Sequence, residues 1–120
     1  MLLKECYDAL GGDYESVKHR ISKDEIIEKF VIKFLSEPSF DNLCSALERE
    51  DYDEAFRAAH SLKGVCANLA FIRLEKSVSD LTELLRHSDE VPVDKERCKE
   101  AFENVSVDYN TVMEAIRKLD

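Results

Sequence analysis

Tyr52-Asp53-Glu54-Ala55-Phe56-Arg57-Ala58-Ala59-His60-Ser61-Leu62-Lys63-Gly64-Val65-Cys66-Ala67-Asn68-Leu69 is the stretch from which the fold can be read. Tyr52, Ala55, Ala59, Leu62, Cys66 and Leu69 step by three or four residues, drawing one apolar stripe along a helix. Asp51 and Asp53 stand where a cap and a first-turn acid meet the positive end of the helix dipole. At about 100° per residue the stripe centres roughly 130° from His60, so the imidazole points outward and not into a core. Lys63 and Gly64, three and four residues on, share its face. Phe56 and Ala67 flank the same surface one and two turns away.

Outward from this helix the same period recurs. Residues 2 to 10 form a short apolar segment stopped by Gly11-Gly12. Asp13 to Ile21 is polar and shows no clear period, so it reads as a turn region. Ser22-Lys23-Asp24-Glu25 has the Ser-x-x-Glu form of a capping box, and Ile26, Ile27, Phe30, Val31, Phe34 and Leu35 follow with helical spacing up to Pro38. Ser39 is placed to cap another helix carrying Phe40, Leu43 and Leu47, closed by Glu50-Asp51. Beyond the His60 helix, Ile72, Leu74, Val78, Leu81, Leu84 and Leu85 make one more, ending in the polar stretch His87 to Glu90. After Pro92, Cys98, Ala101, Phe102, Val105, Tyr109, Val112, Ile116 and Leu119 predict a long last helix.

Amphipathic helices on short connections bury their stripes best as an antiparallel up-down four-helix bundle. The expected class is therefore all-α, with an extra N-terminal helix packed across the bundle. Residues 1–120 read as one domain, with 1–21 as N-terminal helix and turn and 22–119 as the bundle helices. Three Gly, two Pro and few aromatics fit this class and disfavour a β-sandwich or barrel. A two-helix coiled coil fits less well, because Pro38 and Pro92 divide the pattern.

A formal net charge of -9 with scattered basic residues argues against nucleic acid as a partner, since a phosphate backbone is held by clustered Lys and Arg. No apolar run approaches the roughly 20 residues that span a bilayer, and Met1-Leu2-Leu3-Lys4-Glu5 lacks a signal-peptide core. The expected setting is soluble and cytoplasmic, with no membrane partner. Cys6, Cys44, Cys66 and Cys98 are far apart and form no Cys-x-x-Cys pair, so they read as core thiols with neither disulfide nor metal. No Gly-rich nucleotide loop is present.

The chemistry converges on His60. Imidazole titrates near about pH 6.5, so at neutral pH one ring nitrogen is free to act as a nucleophile. Lys63 places a positive charge within reach of a phosphoryl group on the ring. Gly64 costs roughly 1 kcal/mol in mid-helix relative to Ala, and space for a partner over the imidazole is a reason for it. His19 and His87 sit in polar stretches and read as solvated surface residues.

Ala59-His60-Ser61-Leu62-Lys63-Gly64, followed by Asn68-Leu69-Ala70 and Leu74-Glu75, resembles the signature of histidine-containing phosphotransfer (HPt) domains. Leu47-Glu48 to Asp51-Tyr52-Asp53 and Phe30 to Leu35 extend the likeness over most of residues 10 to 87. The last helix matches only in being helical. The resemblance implies that His60 accepts phosphate and that Lys63, Gly64, Phe56 and Ala67 form the phosphoryl and partner surface. It also implies response-regulator receiver domains and a histidine kinase or hybrid kinase as partners. The chain itself would need no cofactor, Mg²⁺ and the aspartate being supplied by the receiver. The family usually has Gly at the position of Ala70, which as a small residue is expected to keep the helices close. Many members also hold the imidazole with a polar side chain of the next helix, for which Ser79, Thr82 and Glu83 are the candidates.

Two other readings compete. The phosphoacceptor part of a sensor histidine kinase also presents a histidine on a bundle, but such kinases follow it with an acid and a Pro, where this chain has Ser61 and Gly64. A bundle that binds receivers without phosphotransfer would have no need of both His60 and Lys63. An independent hydrolase lacks any evident nucleophile, histidine and carboxylate grouping. The expected entity is a monomeric carrier, not an enzyme with its own kinase domain.

Overall fold

The computed structural model describes residues 1–119. In order along the chain these form α1 (Leu3–Leu10), α2 (Tyr14–Arg20), α3 (Asp24–Lys33), a 3-10 turn (Phe34–Ser36), α4 (Ser39–Glu48), α5 (Tyr52–Leu69), α6 (Ile72–Leu85) and α7 (Lys95–Arg117), with no strand among the described residues. The class is all-α. None of these helices is long and apolar enough to cross a membrane.

Helices α4 to α7 form the bundle, with α5 packed against both α4 and α6, and α6 against α7. Short connections between α4 and α5 and between α5 and α6 force neighbouring helices to run antiparallel. Phe40 of α4 closes the ring, stacked on Tyr109 of α7 at 3.8 Å between centroids and near Phe102 at 5.9 Å. Helix α1 packs on α7, and α3 touches α5 and α7. The core that results runs through every helix, from Tyr7 and Val17 to Val112 and Ile116.

The helix starts differ in places from those expected. Asp13 to Ile21 contains the helix α2, made possible by the Asp13 side chain accepting from the Ser16 amide and by Val17, its one fully buried residue. A single buried position is too little to show a period. The Ser22 capping box is not formed: α3 begins at Asp24 after Lys23, without a side-chain cap. Tyr14 and Lys18 donate to the Asp24 carboxylate at 2.6 and 2.8 Å, which ties α2 to the first turn of α3 and sets the start there. Ser39 is the first residue of α4 and is buried, so it does not cap the helix; its amide donates to the Glu37 carboxylate at 2.8 Å. Asp51 and Asp94 do act as caps, accepting from the amides of Glu54 and Arg97. On α3 the buried residues are Ile27 and Val31, while Ile26 and Phe30 are nearly half exposed.

The turn between α5 and α6 is the junction on which the N-terminal helices are hung. Ala70 closes α5 in the left-handed region at φ 57°, so the preference for Gly at this position is one of backbone conformation and not of helix spacing. The Ala70 carbonyl accepts from the Asp13 amide, and the Arg73 amide donates to the Gly11 carbonyl. Gly11 ends α1 at φ 77°, and a Cβ on Gly12 would lie 2.6 Å from the Tyr7 ring and 2.9 Å from the Ala70 carbonyl oxygen. Tyr7, fully buried, donates its hydroxyl to the Leu69 carbonyl at 2.7 Å.

That last bond satisfies a carbonyl at the helix end that has no intrahelical partner. Tyr7→Phe should therefore lower the unfolding free energy by about 1–3 kcal/mol in urea titration, with helical circular dichroism retained. A loss below about 0.5 kcal/mol would show that the Leu69 carbonyl finds another donor.

Candidate functional site

Helix α5 fixes the site. Ala55, Ala58, Ala59, Leu62, Cys66 and Leu69 are buried against α4 and α6, which leaves His60 exposed near the middle of the helix. The outward phase of the ring predicted by the periodicity is the one observed. The first turn is capped by Asp51 and carries Asp53 and Glu54. At the other end Arg20 of α2 donates to the carbonyls of Ala67 and Asn68, at 3.3 and 2.8 Å, a cation on the negative pole of the helix.

Phe56, His60, Lys63, Gly64 and Ala67 all lie on this one face, as expected. Phe56 is half-buried and packs against the core edge. Its ring also stacks on the His60 imidazole, with centroids 6.0 Å apart and planes inclined by 15°. The aromatic therefore braces the imidazole from the N-terminal side. Gly64 faces open space: a Cβ built there meets no atom within 4 Å. Nothing inside the protein requires a glycine at this position. Lys63 is in no ion pair among the described residues, whereas Arg57 is held by both Asp53 and Glu54 at 3.0 Å.

The three α6 candidates for holding the imidazole are not hydrogen-bonded to it. Thr82 is fully buried and donates its hydroxyl to the Val78 carbonyl at 2.7 Å. Glu83 is paired with Arg86 at 2.7 Å. Ser79 is half-buried and forms no hydrogen bond through its side chain among the described residues.

Arg86 is the residue that the sequence alone did not single out. Its guanidinium carbon sits 5.5 Å from the Phe56 ring centroid, on the ring that also stacks on His60. The hydrogen bond from Arg86 holds the Glu83 carboxyl below the usual carboxylate range; partial desolvation opposes this, and the charges of Arg86, Lys63 and His87 reinforce it. Counting outward from the tight turn at Ala70-Phe71 was the available signal, since in an antiparallel pair Arg86 falls level with the residues around Ala55 and Phe56. His19 and His87 are exposed, on α2 and beyond the end of α6.

A groove of about 430 Å³ flanks α5 toward its C-terminal end, lined among others by Ile21 and Phe30 on one side and Val65 and Asn68 on the other. The four cysteines are free thiols; Cys6, Cys66 and Cys98 are buried and Cys44 partly so. Burial pushes the Cys6 thiol up to about 11 and raises that of Cys66 further.

The open space at Gly64 has a direct consequence for folding. Gly64→Ala should raise stability by roughly 0.5–1 kcal/mol, because it removes the helix penalty of glycine and meets no neighbour. Thermal unfolding checks this; a destabilised protein would mean that the surface around residue 64 is closed.

Comparison with the curated proteins and with the solved structures returned no match. Against the protein-family models the chain matches the Hpt domain over residues 35–118. This span starts later than the likeness seen in the motifs and runs on through the whole of α7, so the last helix belongs to the matched unit. With well over half its length inside that match, and an exposed histidine on the second helix of its bundle, the chain belongs to the Hpt domain family, the phosphotransfer domains of histidine phosphorelays.

Proposed function

We propose that this chain is a monomeric phosphoryl carrier in which His60 takes a phosphoryl group from the aspartate of one receiver domain and passes it to another. The observation that carries the reading is the local one: an exposed imidazole, a lysine three residues on that is in no ion pair among the described residues, and a glycine opening onto empty space. A nitrogen lone pair of the neutral ring attacks phosphorus, the bond from phosphorus to the receiver's carboxylate breaks, and the ring loses its remaining proton to solvent. The reverse sequence returns the group to an aspartate. The receiver would contribute the Mg²⁺, which would supply positive charge toward the phosphoryl oxygens, and this chain's own residues would hold none.

The chain's own residues have limited tasks in this scheme. Phe56 braces the imidazole by stacking on it. Lys63 offsets the added negative charge on a protein that already carries -9. Gly64 and Ala67 keep the surface low, so that a receiver can bring its aspartate to the ring. A histidine kinase or hybrid kinase would feed the relay, in the cytoplasm. One bundle buries most of the apolar stripes, with Ile26, Phe30 and Ile72 left partly exposed, which supports a monomer.

His60→Gln should abolish transfer from a phosphorylated receiver while shifting stability by less than about 0.5 kcal/mol, as is usual for an exposed position. The bond formed should be labile in acid and stable in base, as a phosphoramidate is. Lys63→Ala should slow transfer without eliminating it, and Gly64→Gln should slow it by filling the space above the ring. Radiolabel from phosphorylated receiver, followed by peptide mapping, checks all three. Label retained in the His60→Gln protein, or mapped to His19 or His87, would overturn the assignment.

A further inference from the structure

Around His60 the structure holds a short chain of contacts from ring to cation to carboxylate. The imidazole stacks on Phe56, the Arg86 guanidinium lies 5.5 Å from the centroid of the same Phe56 ring, and Arg86 donates to both oxygens of Glu83 at 2.7 to 3.2 Å. The four residues come from α5 and from α6 with its C-cap Arg86, which the Ala70-Phe71 turn pairs in antiparallel register. The arrangement is solvent-accessible, with the Arg86 and Glu83 side chains 38% and 60% exposed, so neither is fixed in place by the core. Of the other groups of this face, Arg57 is bound by Asp53 and Glu54, His87 Nδ1 lies 4.0 Å from Glu90, and Lys63 is in no ion pair among the described residues.

We propose that Glu83 is a resident anion in the phosphoryl site: it occupies Arg86 in the unphosphorylated protein, and a phosphoryl group on His60 competes with it for Arg86 and Lys63. Arg86 thus lengthens the life of the phosphohistidine and Glu83 shortens it. The inference rests on the reading of His60 as phosphoacceptor, and gives that site a built-in control over how long it stays charged.

The sign follows from the chemistry of the bond. Hydrolysis adds water to phosphorus and breaks the bond from phosphorus to nitrogen, and the ring leaves far more readily when protonated, as neutral imidazole. A nearby carboxylate favours the protonated ring and repels the phosphoryl oxygens, while a guanidinium does the opposite on both counts. Glu83 is also felt by Lys63, whose charge acts on the Glu83 carboxyl. Removing Glu83 therefore frees Arg86 and lifts the attraction on Lys63, and removing Arg86 leaves the Glu83 carboxylate uncompensated on this face.

The test uses the intact chain and phosphoramidate as donor, which needs no cognate partner. The donor's bond from phosphorus to nitrogen breaks, ammonia leaves with the ring proton, and the phosphoryl group is bound to imidazole. The His60 signal is identified in phosphorus NMR by its absence from the His60→Gln protein, and its decay is followed at neutral pH after the donor is removed. Glu83→Gln should lengthen the half-life by about three- to ten-fold and Arg86→Ala should shorten it by a similar factor. Arg86→Lys should restore most of the loss, and the gain from Glu83→Gln should largely vanish in the double variant with Arg86→Ala. Both positions are exposed, and circular dichroism verifies that each variant is folded; if Arg86→Ala is not, Glu83→Gln and Arg86→Lys decide the matter. Equal half-lives across the variants, with His60 phosphorylated in all, would overturn the role of Glu83 and Arg86 and leave the phosphoacceptor reading standing. Failure of His60 to take the phosphoryl group in any of them would overturn both.

Discussion

The rotation of α5 about its own axis is the constraint on which the rest depends. Its inner surface is built from small residues at Ala55, Ala58 and Ala59 and larger ones at Leu62, Cys66 and Leu69, all buried. Small residues let α4 and α6 come close on two flanks, and the leucines fill the space between them. Turning the helix by even one residue position would exchange an apolar side chain for a charged one on the inner face. Because that rotation is fixed, the opposite face is fixed as well, and His60 is carried to the surface with no hydrogen bond or ion pair of its own among the described residues, braced only by the Phe56 ring. The junction at Leu69 to Phe71, with its left-handed Ala70 and the tie to Tyr7, stops the helix from sliding along its axis.

What could be read from the sequence was what depends on one helix at a time. The phase of His60, the cap at Asp51 and the stop at Gly11 each follow from neighbours a few residues away, and all three stand in the structure. What could not be read was what depends on competition between partners. Ser22 had the pattern of a cap, but Tyr14 and Lys18 take the Asp24 carboxylate and place the helix start by contacts from another helix. Ser39 had the composition of a cap and is instead buried in the first turn. Helix α2 has one fully buried residue, Val17, so no period existed to be found. Ala70 was read as a spacing residue, and only its φ shows that the backbone sets its requirement.

The same division applies to the site. Phe56, Lys63, Gly64 and Ala67 lie on α5 and were placed by counting along it. Glu83 entered as one of three candidates for a hydrogen bond to the ring, and the structure gives it to Arg86 instead. A carboxylate next to a guanidinium on its own helix, three residues away, has an entropic advantage over a ring on the neighbouring helix. Arg86 itself had no pattern to mark it, since its relation to Phe56 exists only through the register of the α5 and α6 pair.

An acidic protein that carries a phosphoryl group has an electrostatic problem, because each transfer adds up to about two negative charges to a surface that already bears -9. In the proposed scheme Lys63 would answer part of it, and Arg57 is bound by Asp53 and Glu54 in the first turn. Arg86 is a further cation near Phe56, and it is shared with Glu83. A carrier that held its phosphoryl group too tightly would be a trap, and one that lost it to water would be a leak. In the proposed scheme, a lysine in no ion pair among the described residues and an arginine shared with Glu83 near Phe56 would set the balance between these at an intermediate level. Arg57, Glu83 and Arg86 are exposed and Lys63 partly so, which keeps each contribution small and screened by salt, so the proposed site would work by the sum of weak charges over a rigid helix and not by a single strong bond.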